Sequence, residues 1–241
     1  MTHKRECFFQ GNEKQVFATD DPDKVIFRYT DVTVCFNDVK RARFRGKGAL
    51  DNQISAILLD YLNRNGVETH FIEVLGDQEQ LCRKIEIIPL QVVVHNRMAG
   101  TLAARLGVEE GFRHPNVIVD LRFNNDELED PLINRDHAVA LGLATYAELD
   151  WMYDVARRTN ELLKELLHRA GIELVDMKIE FGRASDTGAI IISDEISPDT
   201  CRLWDEATGD RLDKDRFRLD LSDVVASYRK VLDRLNQVMA S

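Results

Sequence analysis

The run Val175-Asp176-Met177-Lys178-Ile179-Glu180-Phe181 alternates apolar and ionisable side chains at every step. An extended strand has a side-chain period of two. Val175, Met177, Ile179 and Phe181 therefore share one face, and Asp176, Lys178 and Glu180 share the other. The apolar face predicts a strand of the core. Three ionisable groups in a row are costly to bury unless water, a metal or a ligand compensates them. On this run alone, a solvated outer face of alternating charge is the simpler reading.

The next residues add a second strand. Gly182-Arg183-Ala184-Ser185-Asp186-Thr187-Gly188 reads as a turn, and residues 189–193 read as its returning strand. That strand ends in Asp194-Glu195-Ile196-Ser197-Pro198-Asp199. A hairpin brings Asp194 back close to Glu180. Two carboxylates on paired strands beside a lysine suit Mg²⁺ shared with nucleotide phosphates, because Mg²⁺ keeps several waters and takes one or two protein carboxylates.

Outward from this hairpin, the first fifty residues read as β-structure. Short apolar runs at 15–19, 25–30 and 32–36 are broken by Gly11-Asn12 and Asp20-Asp21-Pro22-Asp23. Ile54, Ile57, Leu58, Tyr61 and Leu62 recur at helical spacing, and Gly66 closes the pattern. Strands follow at 70–74, 82–88 and 91–94. Pro89 predicts a break or a sheet edge, since proline cannot donate to a ladder. A short helix opens near Gly100-Thr101, a long one spans 146–170, and a last one spans 222–239. The picture is an α/β (α+β) chain with a β-rich lobe at 1–88, a mixed lobe at 89–241 and a cleft between them.

Other segments carry possible chemistry. Asn96-Arg97-Met98-Ala99-Gly100-Thr101 leads into a helix, where free amides and a hydroxyl can seat a phosphate; a plain helix cap at Thr101 reads as well. The stretch from Phe9 to Phe17 is a strand–turn–strand with Lys14 near its turn. Such a hairpin can cover a nucleotide, and an ordinary turn is the simpler reading. His70, His95 and His137 show no metal spacing. Asp213-Lys214-Asp215-Arg216 reads as a charged surface turn.

The 241 residues carry a formal net charge of −10. That balance argues against nucleic acid as a partner. Cys7, Cys35, Cys82 and Cys201 have no CxxC spacing and read as free thiols of a cytoplasmic protein. No apolar run approaches the ~20 residues that span a bilayer.

Together these segments resemble the SAICAR synthetase family. The resemblance rests on Lys47-Gly48-Ala49-Leu50, Gly66 with Thr69-His70-Phe71, Asn96 with Ala99-Gly100, and Asp130-Pro131-Leu132-Ile133-Asn134. It rests further on the run from Asp176 to Gly182, on Asp194 to Trp204, and on Leu212 to Arg218. It implies a two-lobed fold with a kinase-like or ATP-grasp-like nucleotide cleft. It also implies an ATP-dependent ligase of purine biosynthesis. In that reaction ATP phosphorylates the carboxylate of 5-amino-4-carboxyimidazole ribotide, and the amine of aspartate displaces phosphate. By the same resemblance Glu180 and Asp194 hold Mg²⁺, and Lys14, Gly11, Asn12 and Asn124 stand at ATP. Lys178 and Asp176 form the catalytic pair facing the ribotide. Arg202, Thr101, Gly100 and His95 lie toward its phosphate, and Asp199, Asp130 and Asn37 shape the substrate site. Arg218 reads as structural. Family members commonly form homo-oligomers, and no interface is legible in this sequence.

The chain departs from the family pattern mainly at ligand-facing positions. GKAK is Gly11-Asn12-Glu13-Lys14, VVVRN is Val92-Val93-Val94-His95-Asn96, and AGS is Ala99-Gly100-Thr101. DATAFN becomes Val32-Thr33-Val34-Cys35-Phe36-Asn37. KGxLNN ends in Asp51-Asn52, and a lysine is replaced by Asn124. Exchanging arginine for histidine removes a fixed charge and a bidentate fork. Beside the purine reaction, two alternatives stand on the sequence alone. One is a paralogue that ligates an amine to a different azole ribotide or nucleoside carboxylate. The other is a nucleotide-binding paralogue without catalysis.

Overall fold

The computed structural model describes residues 2–11, 13–35 and 39–240. The chain opens with β1 (Lys4–Gln10), β2 (Lys14–Thr19) and β3 (Lys24–Tyr29), followed by a small hairpin of β4 (Val32–Cys35) and β5 (Lys40–Arg43). Helix α1 (Lys47–Arg64) comes next, and β6 (Phe71–Gly76) and β7 (Glu79–Arg83) complete an antiparallel sheet of order β1-β2-β3-β7-β6. The remaining elements are β8 (Ile85–Met98), α2 (Gly100–Leu106), β9 (Phe112–Phe123), β10 (Leu132–Ile133), α3 (Arg135–Ala140), α4 (Tyr146–Arg169), β11 (Ile172–Ala184), β12 (Ile190–Ser193), β13 (Cys201–Asp205), α5 (Asp215–Arg218) and α6 (Val224–Met239). A second sheet runs β10-β9-β8-β11-β12, and β13 also pairs with β11. The sheets change over at Lys84, so the boundary at 88/89 falls inside β8.

Strand β11 is central: β8 pairs along one edge, and β13 then β12 along the other. Met177, Ile179 and Phe181 are buried in the main core with Leu174. Val175 departs from the expected pattern and packs instead with Ala99 and Trp204 in a separate cluster. A β-bulge against β13 between Leu174 and Asp176 breaks the alternation there. Helix α4 lays its apolar stripe, including Leu149, Met152, Leu163 and Leu166, into the same core. It starts at a capping box in which Thr145 and Glu148 satisfy each other's backbone amides.

Two expectations from sequence change. Pro89 neither breaks β8 nor marks an edge, because β8 lies between β9 and β11. The ladder pairs Gln91 with Glu180 and Ile88 with Phe181, so Pro89 sits in a bulge where no donor is needed. The run 82–88 is not one strand, since Cys82 ends in the first sheet and Ile85 begins the second. Helix α1 starts at Lys47, ahead of its apolar stripe. Gly48 permits this: a Cβ there would lie 2.8 Å from the carbonyl oxygens of Tyr29 and Thr30. Strands β9 and β13 were not foreseen. Among the described residues, no helix is long and apolar enough to cross a membrane.

Leu163→Ala should destabilise the fold by about 2–5 kcal/mol in urea unfolding, since the residue is fully buried. Arg183 at 2.6 Å, with Thr145 behind it, holds the Glu148 carboxyl down at about 2 against an ordinary 4.5. Its contribution to stability is therefore present above about pH 4.5 and lost as pH falls toward about 2. Glu148→Gln should flatten the pH dependence of the urea midpoint over that window.

Candidate active site

A cleft of about 860 Å³ opens between the β1–β2 hairpin and the second sheet. The ionic face of β11 lines it. Asp176 and Lys178 face the cleft, and Glu180 stands next to Lys178 with Nζ to Oε1 at 3.4 Å. Asp176 and Glu180 are buried, so this face is not the solvated surface that the alternation alone suggested. The hairpin reading holds: Glu180 pairs with Ser193, which sets Asp194 beside it. Asp194 adopts a left-handed backbone with φ of 62°.

Lys14 reaches across from β2 and ion-pairs with Asp194 and, at 3.0 Å, with Glu195. Burial opposes the Asp194 charge, but Lys14 and Lys178 outweigh it and hold its pKa below the usual carboxylate range. Glu180 goes the other way. Burial and the neighbouring Asp194 raise it more than Lys178 and Lys14 lower it. Lys178 and Lys14 both stay protonated, because their carboxylate neighbours outweigh their burial. A pair of neighbouring carboxylates, one buried and one half-buried, with one lysine from each sheet fits a divalent cation with few protein ligands. Glu180 and Asp194 are the residues that would hold it.

A second acidic group, Asp51, Glu195 and Asp199, comes together nearby. Lys47 serves as its cation: the ammonium is 1% exposed, pairs with Asp51 at 2.6 Å and also with Asp199. The Tyr228 hydroxyl donates to the other Asp199 oxygen at 2.5 Å. Asp199 thus lines the cleft with both oxygens engaged. Asp51 keeps one oxygen unpartnered, and burial with the Asp199 charge lifts its pKa well above the usual range.

Arg202 on β13 donates to Asp176 and to Asp215, both at 2.7 Å. Gly100 lies against its guanidinium at φ of 55°, a position where any Cβ would collide. The Gly100 amide donates to Glu110 at 2.9 Å and is not free. The helix it opens, α2, has seven residues and no side-chain cap. Thr101 does not cap it; the Thr101 oxygen accepts from Arg122 at 3.3 Å. His95 lies buried between Asp120 and Asp176, with ring nitrogens 3.5 and 3.6 Å from their oxygens. Asp130 lines the cleft and accepts from Gln91 at 3.1 Å, while Asn124 stands behind Gln91 at 2.9 Å. Gly11 closes the hairpin turn by donating to the Lys14 carbonyl and does not line the cleft. Asn12 and Asn37 lie outside the described residues.

The segment from Asp213 to Arg216 is not a surface turn: Asp213, Lys214 and Asp215 are buried. The Asp213 carboxylate accepts the amides of Leu203 and Asp215, each at 2.7 Å. Burial and Asp215 push its pKa up to about 7. Arg218 pairs with Asp215 at 2.6 Å and borders the cleft. Lys214 reaches Glu13 at 2.5 Å and so ties the hairpin to the opposite wall. Sequence reasoning missed Glu13, Lys47, Asp120, Glu195 and Lys214 as parts of the site. The signal available was their place inside or beside the quoted family segments.

A β-hairpin carrying a lysine over a cleft with paired carboxylates suits an enzyme that handles a magnesium-bound nucleotide. The sequence profile described as SAICAR synthetase matches residues 7–235. A phosphoribosylaminoimidazole-succinocarboxamide synthase of Clostridium acetobutylicum is 47% identical over 232 residues, which cover 96% of this chain and 98% of that one. The crystal structure of a synthase of the same name from Ehrlichia chaffeensis superposes with a TM-score of 0.94 at 41% identity, covering 96% of this chain and 98% of that chain. A SAICAR synthetase in complex with ADP gives 0.91 at 43% identity, with 94% and 96% covered. The chain belongs to the SAICAR synthetase family.

Lys47→Met would leave the buried carboxylates of Asp51 and Asp199 without their cation. The expected loss is about 3–5 kcal/mol of folding stability in urea unfolding near pH 7. An unchanged midpoint would show that Lys47 does not neutralise them.

Proposed function

We propose that this chain joins the amino group of aspartate to the carboxylate of 5-amino-4-carboxyimidazole ribotide, at the expense of ATP, in the cytoplasm. The observation that carries this reading is the adjacent pair of buried Glu180 and half-buried Asp194, faced by Lys14 and Lys178 from the two walls of one cleft. The whole-length identity to named synthases, and the ADP bound by a similar structure, support it over a changed azole substrate or a silent paralogue.

A carboxylate is a poor electrophile. Its oxygen attacks the γ-phosphorus of ATP, ADP departs, and an acyl phosphate forms. The aspartate amine then attacks the carbonyl carbon, and inorganic phosphate and a proton leave. Mg²⁺ between Glu180 and Asp194 would supply positive charge to the nucleotide phosphates. Lys14 gives up its carboxylate partners to contact those phosphates. Lys178, held as an ammonium, stabilises the charge that develops on the transferred phosphoryl group. Asp176 is a weak base, because Arg202 and His95 overcome its burial and keep its pKa low. Its role is to orient Arg202 toward the ribotide phosphate. Asp130, with Gln91 and Asn124 behind it, shapes the wall near the azole and nucleotide.

The test is ADP release from ATP and Mg²⁺ with aspartate and the ribotide, with product mass read in parallel. Succinocarboxamide product with stoichiometric ADP is expected. Lys178→Met and Glu180→Gln should each lower kcat by about 100-fold or more, with folding intact by circular dichroism. ADP release that ignores the ribotide would sink the reading.

A further inference from the structure

A row of ionisable side chains crosses the second sheet. His95 on β8 lies directly opposite Asp176 on β11, and Asp176 lies directly opposite Arg202 on β13. Ion pairs extend the row at both ends. Arg202 holds Asp215 at 2.7 Å, and Asp215 holds Arg218 at 2.6 Å. On the other side Asp120 of β9 faces His95 and holds Arg105 of α2 at 2.8 Å. The charges therefore alternate from Arg105 to Arg218, with His95 between two carboxylates.

Of these groups, only an imidazole titrates near neutral pH. A neutral ring has one acceptor nitrogen, which would point at a carboxylate whichever tautomer it took. An imidazolium carries an N–H toward each carboxylate, and its nitrogens stand 3.5 Å from Asp120 and 3.6 Å from Asp176, at ion-pair distance. His95 is 4% exposed, and neither ring nitrogen makes a hydrogen bond among the described residues, so the two carboxylates are what the ring has to answer.

We propose that His95 is a positioning residue that works as an imidazolium: it shares the Asp176 carboxylate and so leaves the Arg202 guanidinium able to hold an anionic group of the substrate. Burial opposes the ring's charge, and Asp120 and Asp176 outweigh it, so its pKa stands above the ordinary 6.5. The charge is thus complete below about pH 6.5 and lost as pH rises through the raised value. Affinity for a phosphorylated substrate falls over the same interval. This inference rests on the proposed reading that a ribotide occupies the cleft.

The experiment measures KM and kcat for the ribotide from about pH 6 to about pH 9 in the wild type, His95→Arg and His95→Gln. Wild-type KM should rise about tenfold on loss of the ring's charge, with kcat nearly flat. His95→Arg should stay low and His95→Gln high across the range. The substrate phosphate titrates alike in all three, so the differences report the ring. A wild-type KM that parallels His95→Arg throughout overturns the proposal. NMR titration of the ring in unliganded protein supplies a readout free of turnover, with Asp120→Asn as the second variant. A raised midpoint that drops in Asp120→Asn is expected, and an ordinary midpoint overturns the proposal. If the ribotide is not turned over at all, the functional reading fails, and the NMR result still decides the charge of His95.

Discussion

Balancing buried carboxylates is the constraint on which the rest of this structure depends. Asp176, Glu180, Glu195, Asp199, Asp213 and Asp215 all lie within the protein at or beside one cleft. Carboxylates out of water persist as anions only with cations or aligned donors beside them. Lys14, Lys47, Lys178 and Arg202 fill that role, with backbone amides serving Asp213. Several of these pairs bridge the two sheets. Lys14 binds Asp194 from the first sheet, and Glu13 binds Lys214 across the same gap. Neutralising the cleft and holding the lobes together are therefore one physical task.

Strand β11 couples that task to the hydrophobic core. Met177, Ile179 and Phe181 anchor one face in the core with α4, while Asp176, Lys178 and Glu180 are presented on the other. A strand fixed by its neighbours on both edges cannot slip by one residue without exchanging core for charge. The spacing of the ionic groups is therefore set by packing, and the groups are held in place before any ligand arrives.

Three of the positions where this chain departs from the family pattern have oppositely charged neighbours. Glu13 adds an acid at the hairpin side of the cleft, and Lys214 meets it. Asp51 adds one beside Asp199, and Lys47 lies between them. His95 lacks the fixed charge of an arginine, and Asp120 and Asp176 favour its protonated form. Glu13, Asp51 and His95 each alter the local electrostatics, and each has a group of opposite charge beside it.

The two-residue period from Val175 to Phe181, the helical stripes of α4 and α6, and the turn before residue 190 were legible because each is a local property of the chain. So was the approach of Asp194 to Glu180, since one hairpin brings the two together. Pro89 was misread because a bulge is a property of the ladder and not of the strand. The segment from Asp213 to Lys214 looked like a solvated turn because nothing nearby in sequence covers it. The partner of Lys214, like that of Lys14, lies far along the chain; Lys14 and Asp194 are 180 residues apart, and Glu13 and Lys214 are 201 apart. The sequence by itself determined which faces are apolar, which strands pair locally and which family motifs are present. Only the tertiary structure decided which charge meets which, because ion pairing depends on distance in space and burial, and neither has a period that a chain can display.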